Sequence, residues 1–307
     1  MGCGLVRAYC STGLRADGRR SSSLLPVFPM LASGVSDATG LPEGISLLLI
    51  SNTSALVLGL LLYRLVIVEG WNDVVARGAV WAGYLAPSGF VYVMGYSESL
   101  TGAVLVGVAL LVRSGRWLPA LPLCVVAGAL RPNGFAIAAL VAVEACRDWR
   151  HASRRQRVLR VVAVAGAPLG LAIFLAWQEV AFGEALAPLR IAAQPVLRGG
   201  RLVNPFVTGD VGSILGHLFW VGLSAGLIVV CARRMPASYT WFTLLAFLLA
   251  VNSRGFLSFE RVISVAFPLA MAVSLVIPQR RRRVVALAAG GALCGYTMLA
   301  ALTLYVP

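Results

Sequence analysis

Three polar islands interrupt an otherwise apolar chain, and they hold the residue types able to do chemistry. They are Tyr96, Ser97, Glu98 and Ser99 after Gly95; Arg131, Pro132, Asn133 and Gly134; and Ser258, Phe259, Glu260 and Arg261. A carboxylate beside an aromatic ring can hold a hydroxyl-rich ligand or a metal. A guanidinium offers a planar fork of donors that matches phosphate, and Asn133 adds hydrogen-bonding capacity beside Arg131. Ionisable groups inside apolar sequence are expensive in lipid, so they point to a site before they point to decoration. Each island also has a plainer explanation. Ser97 can cap a helix whose dipole Glu98 complements, Arg131 can snorkel from a helix stopped at Pro132, and Glu260 with Arg261 can form a neutral local pair.

The elements that must position these residues follow from composition. The 307 residues are 59% hydrophobic and 12% charged, with a mean hydropathy of +0.85. One water-soluble core cannot hide that much apolar sequence, because ordinary domains carry about twice that charge fraction. The apolar stretches are long and continuous, whereas a membrane β-barrel shows short alternating segments. The expected fold is therefore all-α, a polytopic transmembrane helical bundle. Its apolar runs fall near residues 44–68, 79–95, 98–112, 117–130, 134–146, 161–178, 212–232, 239–252, 262–279 and 284–305, about ten spans. Several are shorter than the ~20 residues of a full crossing, and Pro87 and Pro132 interrupt the pattern.

A net charge of +14 suits nucleic acid in principle, but the arginines sit in short loops without a soluble aromatic-studded domain, so no nucleic-acid partner is expected. All 26 basic residues are Arg, which fits a GC-rich coding bias and a bacterial plasma membrane. Strict alternation puts Arg113 and Arg116, Arg147 to Arg160, Arg233 and Arg234, and Arg280 to Arg283 on one side, which the positive-inside rule makes cytoplasmic. Tyr96 to Ser99, Arg131 to Asn133, the loop at about 179–210 and Asn252 to Arg261 then face outward. Isolated charges at a bilayer boundary are harder to accommodate than a shared, hydrated site, so Glu98, Arg131 and Arg261 are expected to converge on one outward cavity.

The chain divides into an extracytoplasmic segment over 1–43, with an interfacial stretch at Leu24 to Leu31 too Pro-rich to span, and a transmembrane domain over 44–307. The outer loop carries Gln178, Glu179, Glu184, Arg190, Gln194, Arg198 and Arg201 at roughly helical spacing, as in an amphipathic helix or a lid. Cys3, Cys10, Cys124, Cys146, Cys231 and Cys294 form no CxxC pair, and His151 and His217 lie apart, so neither a metal centre nor a disulfide framework is expected.

The ordered series LLPVFPML, APSGFVYVMGYSESL, RWLPA, ALRPNGF, VAFGEALA with Gln194 downstream, and SFERVISVAFPL resembles the GPI mannosyltransferase 2 (PIG-V-like) family and its bacterial relatives. The likeness runs from about Leu24 to Met271. It implies a GT-C-like glycosyltransferase that moves a sugar, mannose in the family, from a polyprenyl-phosphate donor to a lipid or glycan acceptor on the extracytoplasmic face. It further implies inversion at the anomeric carbon and an acidic residue of the first outer loop as general base. Tyr96, Glu98, Arg131, Asn133, Gln194, Glu260 and Arg261 are then the expected substrate-binding set; no cofactor is assigned, and a divalent metal remains compatible. The chain departs from the family before Leu24, where the expected first span and acidic loop are absent and Asp17 in LRADGRR does not match. The expectation is a chain truncated at its start or one without catalysis, with Glu98 as the remaining candidate base. A non-catalytic accessory protein and a transporter are the other classes; no internal repeat of the transporter kind is visible.

Overall fold

The computed structural model describes residues 27–183, 185–186, 211–252 and 259–301. Those residues form helices and turns with no strand. In chain order the helices are α1 (Val27–Thr39), α2 (Glu43–Val68), α3 (Asp73–Tyr84), α4 (Glu98–Arg113), α5 (Trp117–Leu130), α6 (Ile137–Cys146), α7 (Arg154–Phe182), α8 (Val211–Arg234), α9 (Ala237–Asn252), α10 (Phe259–Ser264), α11 (Phe267–Val276) and α12 (Arg282–Ala301). Among the described residues, two helical segments, Glu43–Val68 and Arg154–Val180, are long and apolar enough to cross a membrane.

Local chemistry explains the boundaries. α2 starts after Pro42 with Glu43 in its first turn, and Gly70, at φ +85°, turns the chain beyond its end. The Asn72 side chain accepts from the Val75 amide at 3.0 Å and so caps α3. Ser153 and Gln156 form a reciprocal capping box at the start of α7. Gly183, left-handed at φ +70°, ends that helix.

Proline divides two of the expected apolar runs and separates two others. Residues 79–95 do not form one helix: α3 stops at Tyr84 and Pro87–Tyr92 tightens into a 3-10 turn. A second 3-10 turn, Pro132–Ala136, precedes α6. The run 262–279 is split between α10 and α11, with Pro268 in the first turn of α11. Proline lacks the amide that would continue the ladder and disfavours helix in the residue before it. The described part of the stretch expected to lie at an interface is helical from Val27, with Phe28 and Ala32 buried against Leu47 of α2. Pro29 is tolerated because it occupies the first turn, where amides have no intrahelical partner. Residues 1–26 and most of the loop at 179–210, including Glu184, Arg190, Gln194, Arg198 and Arg201, lie outside the described residues, and residues 179–182 complete α7.

A continuous apolar core runs between α2, α4, α5, α6, α9 and α11, and its largest buried side chains include Tyr239, Phe242, Leu105, Leu130 and Ile137. Phe242 stacks on Phe267 with ring centroids 5.2 Å apart. α5 and α7 are the most closely packed helices. Gly128 and Gly170 permit this, since an added Cβ would meet the backbone carbonyl of Ala167 or Val125.

α4 fixes the axis of the bundle. Its 16 residues rise about 24 Å, separating Glu98 at one end from Arg113 at the other. The described residues that belong to the two expected sets of loops and make the following contacts lie at these ends. Arg113 joins Glu144, Arg234 donates to the Leu275 carbonyl, and Arg282 donates to the carbonyls of Val74 and Ser274. At the opposite end, Ser51 donates to the Tyr96 carbonyl, and Arg131 and Arg261 meet Glu98.

Candidate functional site: a buried ion cluster

Glu98 opens α4, but its side chain turns into the protein and has no exposed surface. The Ser97 hydroxyl does not cap the helix, contrary to the expectation from sequence. The Ser97 carbonyl instead accepts from the Thr101 hydroxyl at 2.8 Å, tying down the first turn. Gly95, left-handed at φ +69°, lets the chain reverse out of the 3-10 turn and present Tyr96 and Glu98 together.

Two arginines distant in sequence reach the same oxygen. Arg131, extended at the end of α5 by the Pro132 that follows it, pairs through Nη1 with Glu98 Oε1. Arg261, from α10, donates through Nε to the same Oε1. The Arg261 guanidinium lies over the Tyr96 ring, 4.4 Å from its centroid. At that separation the ring quadrupole attracts the cation and holds it in orientation.

The arginine side chains are 16% and 20% exposed, against 0% for Glu98. One carboxylate and two guanidiniums give the trio a net charge of +1, with the anion at its base and the cations nearer solvent. This arrangement suits an anion. It suits a divalent cation poorly, because Glu98 is already opposed by two guanidiniums. Among the described residues no group of three or more His, Cys, Asp or Glu side chains is placed to hold a metal ion.

Glu98, Arg131 and Arg261 are thus brought together, with Tyr96. Among the described residues, Glu98 forms the buried base of the cluster and the two arginine side chains its partly exposed part. A cavity of about 400 Å³ lies between α2 and α3, where Ala55, Gly59, Trp81 and Tyr84 contribute to its wall. Glu260, next to Arg261 in α10, is buried. Asn133 falls in the 3-10 turn after Arg131, and its side chain is outside what is described. Gln194 and Ser258 lie outside the described residues.

A second ion cluster, missed in the sequence, closes the other end of the bundle. Arg113 donates to both oxygens of Glu69, at 2.6 and 2.9 Å, and to Glu144 at 2.9 Å. The Tyr239 hydroxyl donates to Glu69 at 2.7 Å and the Ser238 hydroxyl to Glu144 at 2.6 Å. Four helix ends are joined in this way. The signal was present: Glu144 interrupts an apolar run, and Glu69 follows another. Arg113 counted only as one basic loop residue among many. No family model, curated protein or solved structure matches the chain significantly.

Proposed function

We propose that the chain is a multi-pass membrane glycosyltransferase of the GT-C type, with about ten membrane segments, in a bacterial plasma membrane. It takes a hexose, mannose on the family resemblance, from a polyprenyl-phosphate donor and transfers it to a lipid or glycan acceptor on the extracytoplasmic face. The observation that carries this reading is the buried Glu98 clasped by Arg131 and Arg261, with Tyr96 against Arg261, at a single end of the bundle. Exposed apolar side chains along the longest helices, such as Leu56 and Leu60 of α2 and Ile173 of α7, support the membrane setting.

In this reading the acceptor oxygen forms a bond to the anomeric carbon as the carbon–oxygen bond to phosphate breaks. The phosphate keeps the bonding electron pair, and a base takes the acceptor's proton. The phosphate leaves already ionised, so the protein mainly positions the partners and stabilises charge. Arg131 and Arg261 are the residues for that charge, and Glu98 is a positioning residue that fixes their forks. A carboxylate without exposed surface, already shared by two guanidiniums, is badly placed to meet an acceptor hydroxyl. That same burial favours a second reading, a donor-binding accessory protein that retains the phosphate-holding arginines and lacks a base.

The test reconstitutes the chain in liposomes with radiolabelled polyprenyl-phosphate mannose. Transfer that is lost in R131Q and R261Q supports the enzyme. Donor binding that these substitutions abolish, without transfer, supports the accessory reading. Neither transfer nor binding refutes both.

A further inference from the structure

The geometry points to the turn between α6 and α7 as a binding site for the headgroup phosphodiester of anionic phospholipids. This rests on the membrane reading proposed above. Residues 147–160 carry six arginines against one acid, Asp148. Two of these arginines are held half-buried on one face of α7, one turn apart. Arg157 donates through Nη2 to the Arg150 carbonyl at 3.1 Å and lies 5.9 Å from the Trp149 ring centroid. Arg160 donates through Nη1 to the Ala145 carbonyl at 3.2 Å and lies 5.3 Å from the Trp117 ring centroid.

These contacts fix both guanidiniums but leave the Nε donor of each buried and without a hydrogen-bond partner. A buried donor without an acceptor is an unfavourable state that folded proteins ordinarily avoid. A phosphodiester brings negative charge and several acceptor oxygens to the accessible part of these half-buried guanidiniums, and its charge also offsets the cost at the buried nitrogens. Arg154 and Arg155 stand exposed on the same first turn and add long-range attraction.

The occupant is settled by what adjoins the arginines. Val158, Val161 and Val162 of α7 are 55%, 55% and 41% exposed, so an apolar surface begins within one turn of the charged one. Trp149, 38% exposed, lies at the boundary. A soluble polyanion would use only the charged half of this surface. An anionic phospholipid uses both, its phosphate against the guanidiniums and its tails along the valines.

The full chain in nanodiscs of equal phosphatidylglycerol and phosphatidylcholine, released into a native mass spectrometer, tests the inference. The wild type should retain phosphatidylglycerol preferentially. R154Q/R155Q, which alters only exposed side chains and so should fold normally, should reduce that preference roughly 10- to 30-fold. R280Q/R281Q, in another basic turn, should leave it in place. Equal retention of the two lipids by the wild type, an unchanged preference in R154Q/R155Q, or displacement by tail-free glycerophosphoglycerol would overturn the site. Release of the chain from membranes by alkaline carbonate would instead overturn the membrane reading, independently of lipid preference.

Discussion

Glu98→Gln preserves shape and removes the charge on which two guanidiniums converge. In the wild type the trio carries +1; in the variant Arg131 and Arg261 face each other with +2 and no shared counter-ion. Their side chains are 16% and 20% exposed, so water screens this repulsion only in part. Breaking a buried ion pair by deleting one partner costs about 3–5 kcal/mol. The partial exposure of the arginines puts E98Q at the lower end, about 3 kcal/mol, which in a protein of this size lowers Tm by on the order of 5–10 °C. The assay is thermal unfolding in one detergent, for E98Q, R131Q and E98Q/R131Q. The double variant removes one cation with the anion and returns the cluster to +1. It should therefore be less destabilised than the sum of the singles, by at least about 1 kcal/mol. Strict additivity, or an E98Q as stable as the wild type, would refute the idea that Glu98 holds the arginines. Restored stability without restored donor binding in the double variant would also separate positioning from binding.

At the helix contact between α5 and α7, G128A and G170A should each destabilise by about 1–3 kcal/mol or more, because the new methyl meets backbone. G226A, where nothing stands within 4 Å, should not, and the same thermal assay compares them. In the second cluster R113K keeps the charge but loses the bidentate bonds to Glu69, so a loss of about 1–3 kcal/mol is expected; an unchanged Tm would mean that this network does not tie the helix ends. For orientation, a membrane-impermeant thiol reagent applied to intact cells, on a cysteine-free background, should label L186C and spare S114C. The opposite pattern would invert the topology.

Much of the architecture was legible locally. Sustained apolar runs, the capping residues Asn72 and Ser153, and Gly70 and Gly183 act within a few residues of chain, so the all-α class and most helix ends can be read without tertiary information. Pro87 and Pro132 announced interruptions, while the split at Pro268 was not anticipated; whether a proline kinks, tightens or splits a helix depends on what packs against the freed backbone. The three polar islands were also visible as charges that apolar surroundings cannot accept singly.

Pairing and depth were decided only in three dimensions. Sequence suggested that Glu98, Arg131 and Arg261 would share one place, yet it pictured a hydrated cavity with Glu98 facing a ligand. Packing of α4, α5 and α10 instead withdraws Glu98 wholly from solvent and makes one oxygen the meeting point of two cations, one of them 163 residues away. Tyr239 reaches Glu69 across 170 residues in the same fashion. Helical periodicity specifies which face of a helix is apolar, because it depends on the 3.6-residue repeat of that segment alone. Which two faces meet, and how deeply a charge is carried inward, depends on how side chains of separate helices interlock, and that follows from the crossing geometry of the whole bundle.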